Sequence, residues 1–296
     1  MAVDFRRPRR EESNPLRGCR AMVEPRQRKF ILGVGAQRSG TTWLHNYLSN
    51  DKRFNPGFRK EYHVWDWVDL PEMSYAGASK PNAWKNLRRK PEALRYRMQT
   101  SDDFYFEYFA SLLNCSYDLT GDITPSYCGL DERRFKFIKD GFEKRGISCR
   151  VVYFLRDPVS RIKSALKYQI GRRNFREVGG TPDASFIDAL RQYYPLDRVR
   201  FRTSYHDTIR KLERVFDQSD IYIGIFESMF DAVSIERLSG FIGVEARKAA
   251  AGTKVNTAEF KGKVSDDVDQ EIREYYKDVY AYCFRRFPET KALWGA

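Results

Sequence analysis

The apolar run Phe30-Ile31-Leu32 leads through Gly33-Val34 into a glycine-flanked turn, Gly35-Ala36-Gln37-Arg38-Ser39-Gly40. Thr41-Thr42-Trp43-Leu44 then opens a helix. No other stretch constrains the fold as much. A buried strand that turns tightly into a helix is how a chain builds an anion cradle. The glycines let the backbone fold tightly, and the free N–H groups of the helix start point at the anion. The helix dipole, the hydroxyls of Ser39, Thr41 and Thr42 and the charge of Arg38 add to the attraction. A Walker A loop needs Lys directly after its second Gly, and Thr41 stands there instead.

The rest of the chain repeats the alternation. Strands are expected at 29–35, 117–123, 149–155 and 220–226, and helices at 40–49, 103–113, 132–145, 158–169, 184–194, 203–216, 232–241 and 266–286. Residues 1–28 are Arg-rich and polar and read as a flexible basic arm, leaving 29–296 as a single domain. Residues 51–100 read as irregular, with Tyr62, Trp65, Trp67 and Trp84 among basic runs. The basic, Gly-containing stretch 171–183 reads as a loop over a site. Apolar strands alternating with helices predict an α/β, three-layer fold with a central parallel sheet flanked by helices. Ligands in such sheets bind beyond the strand carboxyl ends, where the loops after residues 35, 123 and 155 lie.

Three further motifs stand near those ends. Arg156-Asp157-Pro158 follows a strand, with Ser164 about two helical turns on, so a guanidinium and a hydroxyl can grip one phosphate from two sides. Lys60-Glu61-Tyr62-His63-Val64-Trp65-Asp66 supplies a carboxylate for general base work, with His63 either orienting Glu61 or acting as the base itself. Partial burial is expected to raise the Glu61 pKa towards working pH. Gly121-Asp122-Ile123-Thr124-Pro125-Ser126-Tyr127 ends another strand.

Together these residues resemble the sulfotransferases that use 3′-phosphoadenosine 5′-phosphosulfate (PAPS), and in motif the heparan sulfate and carbohydrate type with its soluble bacterial relatives. The resemblance spans roughly residues 29–286 and implies a P-loop-like fold. It implies that Gln37, Arg38, Ser39, Gly40, Thr41 and Thr42 hold the 5′-phosphosulfate, and that Arg156 and Ser164 hold the 3′-phosphate. It makes Glu61 the catalytic base, with Lys60, His63 and Arg38 beside it. Either Lys261, Gly262 and Lys263 or the stretch Lys254-Val255-Asn256 closes over the cofactor. The implied reaction moves a sulfuryl group from PAPS to a carbohydrate or small-molecule hydroxyl, leaves 3′-phosphoadenosine 5′-phosphate (PAP), and requires no metal. Many heparan-type members carry Lys where this chain has Ile123, so one cation for an acidic sugar is missing.

Composition bounds the alternatives. The 296 residues carry a formal net charge of +13, which suits a polyanionic cofactor or an acidic partner. No zinc finger, RNP motif or helix-turn-helix signature appears, so no nucleic-acid partner is expected. No apolar run reaches the ~18 residues a membrane span needs. The five cysteines are odd in number and lack metal-ligand spacing, which places the chain in a reducing compartment, the cytoplasm. A metal-dependent kinase or phosphotransferase shares the cradle and would use Asp157 for Mg²⁺. A non-enzymatic nucleic-acid-binding protein would explain the charge but not two ordered phosphate sites.

Overall fold

The computed structural model describes residues 26–80, 90–174, 178, 185–247 and 266–295. Within them, five strands form one all-parallel sheet: β1 (Lys29–Gly35), β2 (Phe54–Asn55), β3 (Leu119–Ile123), β4 (Ser148–Leu155) and β5 (Ile221–Ile225), in the order β2-β3-β1-β4-β5. The expected α/β architecture with a helix-flanked parallel sheet is what the chain adopts. β1 lies at the centre and its neighbours on either side come later in the chain, so the strand order reverses there. That switch point is where a doubly wound sheet opens a crevice.

The sheet is buried on both faces. Alternate β1 side chains serve different cores: Phe30, Leu32 and Val34 join the larger cluster, and Ile31 joins the smaller one with Leu44, Val152 and Phe154. The nearly unbroken apolar strands follow from this two-sided burial. Helices α1 (Thr41–Ser49), α2 (Trp65–Asp69), α3 (Lys90–Thr100), α4 (Asp102–Leu112), α5 (Glu132–Glu143) and α6 (Pro158–Gly171) flank the sheet in the first two thirds of the chain. The last third adds α7 (Phe186–Tyr193), α8 (Asp197–Arg200), α9 (Tyr205–Val215), α10 (Ala232–Ile242), α11 (Asp266–Tyr275), α12 (Lys277–Arg286) and α13 (Glu289–Leu293).

Two readings of the sequence need correction. Residues 51–100 are not irregular throughout, since β2, α2, the 3₁₀ turn Pro71–Ala76 and α3 lie there. The α3 sequence KPEALRYRMQT carries no clean apolar stripe. Its packing is largely polar: beside Met98, which enters the larger core, buried Arg95 donates to Ala76 O at 2.8 Å and buried Gln99 donates to His63 O at 2.5 Å. The span 266–286 is not one helix. It breaks at Tyr276, whose ring is buried and whose hydroxyl donates to Tyr194 O at 2.7 Å. The aromatics Tyr62, Trp65, Tyr105, Phe106 and Phe109 are buried in the larger core cluster. The arm up to residue 25, Trp84, most of 171–183, and the closing-loop candidates at 254–256 and 261–263 lie outside the described residues.

Candidate active site

The loop after β1 ends at Gly40, which takes φ 87° and caps α1 without a side-chain hydrogen bond. A Cβ here would sit 2.6 Å from Met229 Sδ, so both the backbone conformation and the space call for glycine. The first intrahelical bond runs from Leu44 N to Gly40 O at 3.0 Å. The amides of Thr41, Thr42 and Trp43 therefore lie ahead of it, at the positive end of the helix dipole. No acidic residue occupies the first turn of α1.

The second phosphate element meets this loop directly. Arg156 follows β4 and donates from Nη1 to Arg38 O at 2.8 Å, while its guanidinium lies 4.4 Å from the Phe226 ring centroid. Arg38, at φ 68°, donates from Nε to Ser164 Oγ at 3.1 Å and lies 4.8 Å over the Tyr168 ring. Burial lowers the pKa of both arginines. Ser39 Oγ and Arg156 Nε are buried and have no partner among the described residues. Two unmatched donors beside a free helix start fit a multi-oxygen anion. Asp157 is committed elsewhere. Its Oδ2 accepts from Ser160 N at 2.9 Å to cap α6, and its Oδ1 accepts from Tyr280 OH at 2.6 Å. That role leaves it a poor candidate for the Mg²⁺ ligand of a kinase.

Across the loop, Lys60 Nζ reaches Thr41 Oγ1 at 3.3 Å and Thr42 Oγ1 at 3.2 Å, and pairs with Glu61 Oε1 at 2.5 Å. His63 Nε2 lies 3.3 Å from Glu61 Oε2, and His63 Nδ1 lies 2.7 Å from Asp66 Oδ2. Ser126 Oγ donates to the same Asp66 oxygen. Burial alone pushes the Glu61 carboxyl up, but the hydrogen bond from His63 and the Lys60 charge outweigh it and hold it at about 2. The sequence expectation of a raised pKa is thus reversed. For His63, burial works downward, yet the hydrogen bonds with Asp66 and Glu61 carry it up to about 9.

A buried network fixes this segment. His63 sits at φ 52°, and the amides on either side of it are held from below. Tyr62 N donates to Thr124 Oγ1 at 3.0 Å, and Val64 N to Tyr127 OH at 3.2 Å. Both acceptors donate in turn to fully buried Asp122, at 2.6 and 2.8 Å, and Tyr105 OH adds a third bond at 3.0 Å. Burial raises the Asp122 carboxyl to about 6, against those hydrogen bonds, which favour its charge. Ile123 belongs to the smaller core and is fully buried.

These elements enclose one cavity of about 420 Å³, lined by Gln37, Arg38, Gly40, Thr41, Thr42, Lys60, Glu61, His63 and Arg156 among others. Ser164 stands beside it through its bond from Arg38, and Ser39 through its place in the loop between Arg38 and Gly40. The cavity also has lining residues that the motifs did not single out: Met73, Tyr75, Tyr168, Gln169, Arg172, Asn174, Arg202 and Phe226. Tyr168 and Arg172 follow Ser164 at helical spacing, a signal the sequence offered. Arg202 and Met73 meet only through the fold, with Nη2 3.1 Å from Sδ. Among the described residues, no helix is long and apolar enough to cross a membrane.

No family model matches the sequence, and a search of curated proteins found no match. Solved structures do match. A sulfotransferase from Alicyclobacillus acidocaldarius aligns at TM-score 0.57 and 20% identity over 87% of this chain and 95% of that one. A sulfotransferase domain from the curacin biosynthetic pathway aligns at 0.46 and 12% over 84% and 96%. A mouse sulfotransferase complexed with PAP aligns at 0.47 and 12% over 91% and 89%. The chain has the overall fold of the Alicyclobacillus sulfotransferase.

Proposed function

We propose that the protein is a PAPS-dependent sulfotransferase acting on a hydroxyl of a carbohydrate or small molecule. The observation that carries this reading is that the loop at 35–42 and the corner of Arg156 and Ser164 meet beside one cavity, which Lys60, Glu61 and His63 also line. A donor with phosphates at both ends of one adenosine calls for two such elements. The amides of Thr41 and Thr42 would hold its 5′-phosphosulfate, and Arg156 and Ser164 its 3′-phosphate. When bound, PAPS supplies the sulfuryl group and a phosphate leaving group.

Glu61 acts as the general base in this reading. His63, carried to about 9, is an imidazolium at neutral pH and has no lone pair to accept a proton. It donates to Glu61 and Asp66 and so aims the carboxylate. Glu61 is ionised at neutral pH, held so first by the hydrogen bond from His63 and then by the Lys60 charge. The scheme uses no metal, because amides and side-chain cations meet the developing charge. Residues 29–296 would form the single catalytic domain behind a basic arm. The free thiols Cys115, Cys128, Cys149 and Cys283 suit the reducing cytoplasm. Incubating the protein with isotopically labelled PAPS and a panel of sugars, phenols and small alcohols, read by mass spectrometry, tests the activity. Label in an acceptor is expected; PAP formation with no acceptor ever labelled would contradict it.

A further inference from the structure

Resting on the PAPS reading above, we propose that Glu227, itself held by Trp294, is a positioning residue for Arg156, so that an indole outside the cavity sets how well the cavity binds a phosphorylated ligand. Arg156 leaves β4 and enters the corner before α6, where the backbone around it is tied on three sides. Phe226 N donates to Leu155 O at 2.7 Å, and Tyr205 OH donates to Arg156 O at 2.8 Å. Asp157 N donates to Glu227 Oε1 at 3.0 Å. Phe226 and Glu227 are neighbours in the turn after β5. That one turn therefore supplies both the ring 4.4 Å from the Arg156 guanidinium and the carboxylate that fixes the amide following it. Burial works against the guanidinium charge, and the Glu227 charge works for it.

The same carboxylate is engaged from its far side. Trp294 Nε1 donates to Glu227 Oε2 at 2.9 Å, so each carboxylate oxygen holds one N–H. Trp294 closes α13 and is buried. Its ring stands edge-on to Tyr280 with centroids 6.0 Å apart, and its carbonyl accepts from Arg273 Nη2 at 2.8 Å. Tyr280 OH in turn donates to Asp157 Oδ1 at 2.6 Å. Helices α12 and α13 thus grip the Arg156 corner twice, through Tyr280 directly and through Trp294 by way of Glu227.

A carboxylate is costly to bury, and packing alone could be served by a neutral side chain. Beside Arg156 the charge has a use. It steadies a guanidinium whose Nη1 is bonded to the loop carbonyl of Arg38 and which lines the cavity. Glu227 and Trp294 themselves stay out of the cavity lining. Their effect on a ligand must pass through Arg156.

Calorimetric titration of PAP into the full chain, with thermal unfolding run alongside, tests this. Trp294→Phe keeps a ring against Tyr280 and loses the indole N–H, and it is expected to weaken PAP about three- to tenfold. Glu227→Gln should weaken it about tenfold. In Arg156→Ala protein, Trp294→Phe should cost no further affinity, because the residue it acts through is gone. A merely structural role would lower the unfolding temperature alone. The positioning role is overturned if Trp294→Phe leaves PAP affinity at the wild-type value, whatever it does to unfolding, or if its loss persists in full on Arg156→Ala. Trp294→Phe decides the matter by itself if Glu227→Gln does not fold. Pyrophosphate titrated into the same proteins separates this claim from the reading beneath it. Wild-type protein that bound pyrophosphate but not PAP would bring down the PAPS reading, and the same comparison of variants with pyrophosphate would still decide the positioning. Wild-type protein that bound neither would overturn both.

Discussion

The two walls of the cavity are built differently. The wall proposed to hold the donor is mostly backbone: a strand end, a left-handed glycine and the first amides of α1, with Arg156 and Ser164 added from the β4–α6 corner. The wall proposed to be catalytic is mostly side chain: Lys60, Glu61, His63 and Asp66 in a row, seated on a buried network around Asp122. A backbone cradle is set by local sequence, because glycine position and helix start fix it. A side-chain row depends on partners from far along the chain. Damage to the first wall should therefore appear in donor affinity, and damage to the second in turnover.

The largest expected effect breaks the catalytic wall alone. Glu61→Gln should lower kcat by about 10² to 10⁴-fold, the usual worth of a general base, with PAP affinity by calorimetry nearly unchanged. A comparable loss in both would mean that the walls are not separable. Next, Arg156→Ala should weaken PAP by about 10- to 100-fold through loss of charged hydrogen bonds. Turnover at saturating donor should fall far less, which steady-state kinetics over a range of PAPS concentrations would show.

A smaller effect is expected one layer down. Asp122→Asn keeps the shape but removes the charge that three hydroxyls donate to. It should cost on the order of 1–3 kcal/mol of stability in denaturant titration and reduce kcat several-fold, with PAP binding intact. Equal PAP weakening would show that the network supports both walls.

The smallest effect is a pH dependence. The folded His63 pKa is raised from 6.5 to about 9, so its contribution to stability is complete below pH 6.5 and fades as pH rises through 9. Thermal unfolding measured from pH 6 to 10 should show that decline, and His63→Gln should flatten it. Glu61 works the other way, since its depressed pKa gives stability that is lost only as pH falls towards 2.

The same contrast explains what the sequence disclosed. The strand-turn-helix that forms the cradle, the corner at Arg156 after β4 and the parallel, helix-flanked sheet were legible because strand periodicity and turn chemistry are local, whereas β2 and the strand order were not. The Lys60–Asp66 row was legible as a motif but not as a circuit. Burial alone argued for a raised Glu61 pKa, and only the observed distances from Lys60 and His63 reverse it. Gln99 holding the His63 carbonyl and Arg202 lining the cavity were not legible, because α3 has a polar packing face and Arg202 arrives from beyond α8. Helix α3 itself was missed for the same reason. It is anchored by buried hydrogen bonds, and periodicity does not register those.

A crystal structure with PAP tests the account most directly. It should place the 5′-phosphate within hydrogen-bond distance of the Thr41 and Thr42 amides, and the 3′-phosphate on Arg156 and Ser164. PAP seated elsewhere, or touching one element and not the other, would contradict the claim that both turns clasp a single donor.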